Sequence, residues 1–192
     1  DRLSAERTKN ADSKPLVVGC NGSTANPLYY AEAEAARIAQ LTAAKAMIGP
    51  DAKVATLLES TRTARLLHFS CHGTFNAEEP LQSNLQLGMD ETLSAQQILH
   101  QMHLTHALVV LSACASGLSR VRRGDELYGL IRAFLFAGAS ALVVTQWRVD
   151  ERSTYLLMCK FYERLLAGES YATALHQAQF YLQSLTASDL LQ

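Results

Sequence analysis

The feature that most constrains this chain is the stretch Leu108-Val109-Val110-Leu111-Ser112-Ala113-Cys114-Ala115-Ser116-Gly117, where an apolar, partly β-branched run stops at small and polar residues around a cysteine. Four consecutive Leu and Val residues are too few for an independent helix. They fit a strand buried on both faces of a parallel sheet. Chain leaving the carboxyl end of such a strand enters the crevice where open α/β sheets place their ligands. A second stretch has the same form, Ala64-Arg65-Leu66-Leu67-His68-Phe69-Ser70 running into Cys71-His72-Gly73-Thr74. If the two strands are parallel neighbours, His72 and Cys114 emerge at one sheet edge and a thiol lies within reach of an imidazole.

The rest of the chain alternates strands with helices. Leu16-Val17-Val18-Gly19-Cys20 reads as a first strand and Asn21-Gly22-Ser23 as the turn after it. Ala31, Ala35, Ile38 and Leu41, interleaved with Glu32, Glu34, Arg37 and Lys45, predict an amphipathic helix from Tyr30 to Ile48, ended by Gly49-Pro50. Lys53 to Ser60 fits strand or helix. Leu85-Gln86-Leu87 alternates like an edge strand, and Thr92 or Ser94 caps a helix over Ala95 to Met102. A helix from Leu127 to Ala137 closes at Gly138, and Ala141-Leu142-Val143-Val144-Thr145 reads as another central strand. Helices from Ser153 through Leu166 and from Tyr171 to Leu185 follow, with Gly168 between them. This order predicts a three-layer α/β sandwich with a mostly parallel central sheet and right-handed crossovers.

With 192 residues, 48% hydrophobic and 18% charged, the chain holds one sizeable core. Residues 1–14 are polar without apolar period and read as a linker, leaving 15–192 as the domain. A net charge of −1 gives no reason to expect a nucleic acid or an anionic membrane as obligate partner. No apolar run reaches membrane-spanning length and no basic-then-apolar leader is present, so the expected home is the cytoplasm. Cys20, Cys71 and Cys159 lie in apolar stretches and read as core filling in a reducing compartment. His100, His103 and His106 are spaced by three, but the last falls past the helix and no carboxylate completes a set; no metal and no cofactor is expected.

A thiol attacks a carbonyl well only as the thiolate, and a neighbouring imidazole both lowers the thiol pKa and returns the proton to the leaving amine. His72 is the best partner for Cys114. Gly73, Ala113 and Ala115 leave room for a substrate, and the backbone N–H groups of Gly73 and Cys114 are the candidate oxyanion donors. Taken singly, such a cysteine and such a histidine are ordinary core residues; two strand ends of the same form favour a pair. Cys71 is a rival nucleophile, but it faces the opposite side of an extended segment from His72 and reads as buried.

The runs Leu66 to Gly73, Val109 to Gly117, Gly124-Asp125-Glu126-Leu127-Tyr128-Gly129-Leu130-Ile131-Arg132-Ala133-Phe134-Leu135-Phe136-Ala137-Gly138-Ala139 and Trp147-Arg148-Val149-Asp150 resemble the CHAT domain. This caspase-like, separase-related cysteine protease family is often found behind tetratricopeptide repeats. The resemblance covers about residues 15 to 185, including the closing Tyr171-Ala172-Thr173-Ala174-Leu175-His176-Gln177-Ala178-Gln179. It implies a caspase-hemoglobinase-like fold, with His72 as general acid/base and Cys114 as nucleophile in peptide-bond hydrolysis, and no third triad member. A protein substrate and an upstream tetratricopeptide-repeat or sensor region that activates the enzyme are implied with it. Most members end the tryptophan motif with two acidic residues, here Asp150 and Glu151.

In separase-like relatives an acidic residue after the corresponding strand recognises a basic P1 side chain. The matching position is Asp150, and a buried carboxylate facing Arg is physically sensible. Asp150 equally suits a cap for the helix near Ser153 or a partner for Arg148 or Arg152. Asp125 is the second candidate acid, lining the cleft or anchoring its loop. The loop Ser119-Arg120-Val121-Arg122-Arg123-Gly124 is a self-cleavage or self-blocking segment if the pocket takes basic residues, and otherwise a solvated loop or docking surface. A catalytically silent caspase-like scaffold is the alternative to a cysteine endopeptidase; a serine esterase would need a GxSxG elbow, and there is none.

Overall fold

The leucine- and valine-rich runs become strands of a single parallel sheet. The computed structural model describes residues 15–76, 78–88, 90–113, 128–145 and 149–186. Strand β1 (Leu16–Gly19) leads through α1 (Ala31–Thr42) to β2 (Lys45–Ile48), and α2 (Val54–Ser60) leads on to β3 (Leu66–Ser70). A small antiparallel sheet follows, made of β4 (Gly73–Thr74), β5 (Asn84–Leu87) and β6 (Glu91–Ser94). Helix α3 (Ala95–Gln101), strand β7 (Ala107–Ser112), helix α4 (Tyr128–Phe136), strand β8 (Ala139–Val144) and helices α5 (Glu151–Leu166) and α6 (Tyr171–Ser184) complete the order. The main sheet runs β2-β1-β3-β7-β8, every pairing parallel.

Period-two alternation divides the core into two layers. Leu16, Val18, Leu67, Phe69, Val109 and Leu111 face α2, α3 and α4 through Leu57, Ile98 and Phe134. Val17, Leu108 and Val110 face α1, α5 and α6 through Ile38, Phe161 and Ala178. All six residues of β7 are buried, as expected of a strand covered on both faces. The predicted three-layer α/β sandwich with a mostly parallel sheet is the observed architecture.

One polar triad interrupts the second layer. His68, on the α1/α5 face of β3, has Nε2 3.0 Å from Glu34 Oε1 and Nδ1 3.2 Å from the Tyr162 hydroxyl. All three residues are buried. Each partner comes from a different element, α1, β3 or α5, so the hydrogen bonds fix how both helices sit on the sheet. Burial beside the Glu34 carboxylate pushes the Tyr162 hydroxyl well above its ordinary pKa and keeps it neutral.

Four sequence expectations are corrected. The helix expected from Tyr30 to Ile48 ends at Thr42, Ala43 turns the chain in a left-handed conformation (φ 52°), and Lys45–Ile48 pairs with β1. The helical period ran on through Lys45, but strand pairing overrides so weak a propensity. Lys53–Ser60, open between strand and helix, is helical from Val54. Leu85-Gln86-Leu87 is the middle strand of the small sheet, its N–H and C=O groups paired on both sides. Among the described residues β8 is an edge of the main sheet and not a central strand, with Leu142, Val143 and Val144 half-buried. The Ser94 cap is present as a reciprocal box: Gln97 N–H donates to Ser94 Oγ (3.1 Å), and Ser94 N–H donates to Gln97 Oε1 (2.9 Å).

Ser94→Ala is expected to cost about 1 kcal/mol of stability, visible in urea unfolding as a lower midpoint at unchanged slope. Gly19→Ala is expected to cost more, about 1–3 kcal/mol. A methyl there would overlap the Ala35 side chain and press on the Ala31 carbonyl, where β1 and α1 touch backbone to backbone.

Candidate functional site

From β1 the chain moves outward to β2 through α1 on one face, then returns past β1 to β3 through α2 on the other. The loops leaving β1 and β3 therefore diverge at a topological switch point, the position at which doubly wound sheets bind ligands. His72, two residues past β3, faces the loop 20–30 that leaves β1.

That loop holds the imidazole in one orientation. His72 Nε2 lies 2.7 Å from the Asn26 carbonyl oxygen. A carbonyl only accepts, so Nε2 carries the hydrogen and the neutral ring's lone pair is on Nδ1. Nδ1 is buried and has no hydrogen-bond partner among the described residues. Gly22 (φ 78°) presses its backbone against the ring; a Cβ there would stand 2.6 Å from His72 Cδ2 and 2.9 Å from Nε2. The main-chain carbonyl of His72 accepts from Gln86 N–H on β5 (2.9 Å), fixing the residue from the other side.

The loop is itself pinned. Glu32 N–H, in the first turn of α1, donates to Asn21 Oδ1 (2.9 Å), and Asn21 N–H donates back to Glu32 Oε1 (3.3 Å). Leu28 N–H donates to the Asn21 carbonyl (2.7 Å) and Asn26 N–H to the Ser23 carbonyl (3.1 Å). The side chain of Asn21 thus caps α1 while its backbone closes the loop that aims the Asn26 carbonyl.

Gly73 begins β4. The Gln86-to-His72 bond makes Gly73 and Leu85 a non-hydrogen-bonded pair of the antiparallel ladder, so the Gly73 N–H points away from β5. No larger residue fits: a Cβ on Gly73 would lie 3.1 Å from the Phe75 ring and 3.6 Å from the Ala113 Cβ. The chain just after β3 therefore touches the chain just after β7. Their last strand residues, Ser70 and Ser112, are paired in register, and Thr145 Oγ1–H donates to the Ala113 carbonyl (3.0 Å).

His72 and Gly73 thus lie together at the strand edge where the sequence places them. Cys114, Asp125, the loop 119–124 and Trp147-Arg148 lie outside the described residues. Asp150 is the N-cap of α5: its Oδ1 accepts from Ser153 N–H (2.9 Å) and its carbonyl accepts from Thr154 N–H (3.0 Å). The other thiols are poor nucleophiles. Burial, with Cys20 and Glu34 nearby, pushes Cys71 well above the ordinary thiol range; burial also raises Cys20 and takes Cys159 to about 11. Helix α3 ends at Gln101, before His103 and His106, and no group of three or more metal-ligating side chains occurs among the described residues. No helix among them is long and apolar enough to cross a membrane. Two contributors were missed from sequence: the Asn26 carbonyl, a main-chain atom without side-chain signature, and Gly22, read only as a turn residue.

A solved structure of the complex of Porphyromonas gingivalis RgpB pro- and mature domains superposes with a TM-score of 0.60 at 12% identity, covering 93% of this chain and 44% of that one. This agreement is one of fold. Tetratricopeptide repeat protein 28 is 26% identical in Mus musculus and 25% in Homo sapiens, each over 84% of this chain. The chain matches 8% of the length of those relatives. A family model described as the CHAT domain matches residues 2–189, nearly the whole chain, and the protein belongs to the CHAT domain family.

Proposed function

We propose that the protein is a cysteine endopeptidase that cuts a protein partner with His72 as general acid/base and Cys114 as nucleophile. The observation that carries this reading is the His72 imidazole, its Nε2–H committed to the Asn26 carbonyl and its Nδ1 buried without a partner among the described residues. A structural core histidine satisfies both nitrogens, as His68 does. A base held ready for an incoming proton leaves one open.

In the proposed reaction the Cys114 thiol gives its proton to Nδ1, and the thiolate attacks the peptide carbonyl carbon. The carbonyl π electrons move onto oxygen, where the N–H groups of Gly73 and Cys114 stabilise the charge. Collapse breaks the C–N bond while Nδ1–H protonates the departing amine, leaving a thioester. Water, deprotonated by Nδ1, then attacks the thioester; the free acid leaves and the thiol takes back its proton. The Asn26 carbonyl faces the Nε2–H throughout and favours the imidazolium formed after each proton transfer. Asp125 and Asp150 remain candidates for contacts with the substrate, Asp150 in addition to its capping bond. The tetratricopeptide-repeat relatives support regulation by a repeat or sensor region, with the cytoplasm as the place of action.

Cys114→Ala and His72→Ala are each expected to lower kcat/KM on peptides by at least about 10³-fold; residual cleavage near wild type in either would sink the dyad. Silence of the wild type toward every peptide, with a partner protein also uncut, would favour the scaffold reading. Gly22→Ala is expected to reduce kcat by about 10- to 100-fold at little changed KM and to shift the acid limb of the pH–rate profile, since it displaces the ring without touching the substrate. With Cys159 at about 11, its thiolate at pH 8.5 is scarcer than that of an ordinary thiol by on the order of 10². Iodoacetamide mapped by mass spectrometry is therefore expected to label Cys114 first, with Cys20, Cys71 and Cys159 far behind.

A further inference from the structure

Beneath the ends of β3 and β7, on the α1/α5 face, lies a cavity of about 20 Å³, room for one or two water-sized groups. Glu34, Ser70 and Ser112 line it from the sheet side, Glu151 and Thr154 from α5, and Leu28 from the loop that clamps His72. Ser70 and Ser112 are at least nine-tenths buried, with exposures of 3% and 8%, and neither hydroxyl bonds to a described residue. Buried hydroxyls normally find partners. Glu34, 2% exposed, commits Oε1 to His68 and offers its second oxygen. Thr154 Oγ1–H is spent on the Asp150 carbonyl (2.8 Å), and Glu151 Oε2 accepts from Tyr30 N–H (3.2 Å). Two carboxylates line the cavity and no Lys or Arg does.

The lining therefore offers acceptors and negative charge, and its free positions number three: the Glu34 carboxylate and the two serine oxygens. An ammonium has three N–H donors on a point-like head, whereas a guanidinium is a planar fork with five. The room available suits the first. The cavity also lies close to the chemistry. Ser70 is two residues before His72, which limits their Cα separation to about 7 Å, within the span of a lysine stem.

We infer that this cavity is the specificity pocket of the proposed peptidase and takes a lysine side chain beside the scissile bond, its ammonium held by Glu34, Ser70 and Ser112. The inference rests on the endopeptidase reading for its place in the reaction, and it puts the deciding carboxylate on α1 where the family resemblance pointed to Asp150. The lysine stem packs on Leu28, and Glu151 adds attraction at the α5 wall.

The test uses one peptide sequence carrying Lys, Arg or the neutral analogue norleucine before the cut, with wild type, Glu34→Gln and Ser112→Ala. In parallel, calorimetry measures binding of N-acetyl-lysine methylamide and its norleucine counterpart to the same proteins. Wild type is expected to prefer Lys over norleucine by at least about 10-fold and over Arg by less. Glu34→Gln is expected to erase about 10- to 100-fold of the Lys preference, chiefly through KM, with norleucine cleavage little changed, and Ser112→Ala to erase part of it. Equal cleavage of Lys and norleucine by wild type would overturn the pocket and leave the protease standing. So would a Lys preference intact in both variants. Lysine amide that binds wild type and is weakened by Ser112→Ala, with no peptide cut, would uphold the pocket and sink the endopeptidase. Neither cleavage nor binding would overturn the inference. Because Ser112→Ala removes one oxygen and opens no cavity larger than that atom, it keeps the test decisive should Glu34→Gln fail to fold.

Discussion

The parallel pairing of β3 between β1 and β7 is the constraint on which the rest of the molecule depends. Register alone brings Ser70 beside Ser112, and it brings Gly19 beside Ser70, so that Cys20 N–H donates to the Ser70 carbonyl (2.9 Å). A slip of one residue would turn Phe69 and Leu67 to the α1 layer and send His68 to the opposite one. The hydrophobic alternation therefore does more than make a core. It decides which loops meet, and His72 is useful only where the loop from β1 can reach it.

The buried triad of Glu34, His68 and Tyr162 enforces the same register by another means. An ion pair of this kind adds little net stability, because desolvating the charges offsets most of their attraction, but losing one partner is costly. A slipped strand would leave Glu34 facing an apolar side chain with its charge uncompensated. The triad thus discriminates against the wrong pairing more than it strengthens the right one, and the same carboxylate extends to the cavity at the strand ends.

Layers, strand pairing and the histidine edge were legible because β-branched runs followed by small residues have few physical interpretations. The misreadings have local causes. Lys45-Ala46-Met47-Ile48 continues a helical period as well as it begins a strand, and only the vacant edge of β1 decides between them. Leu85-Gln86-Leu87 carries the alternation of any half-buried strand, so nothing in it tells an edge from a centre, and the uninterrupted apolar character of Ala141–Val144 equally suits a buried edge. At the site, His72 and Gly73 could be read because their side chains, or the want of one, are what matters. Asn26 could not, since its contribution is a carbonyl that every residue type possesses. Glu34 looked like one more charge on the polar face of an amphipathic helix; only packing reveals that it points inward at His68.

The hydrogen bond from His72 to a main-chain oxygen separates what evolution can change from what it cannot. A catalytic histidine oriented by a carboxylate side chain loses its support in a single substitution. Here the supporting atom belongs to the backbone, so residue 26 is free to vary in chemistry while the loop keeps its course. The burden of inheritance shifts to positions that shape that course: Gly22, which alone allows the close approach, and Asn21, which ties the loop to α1. Selection on this site is thus recorded in a turn glycine and a capping asparagine, at some distance in sequence from the base they serve.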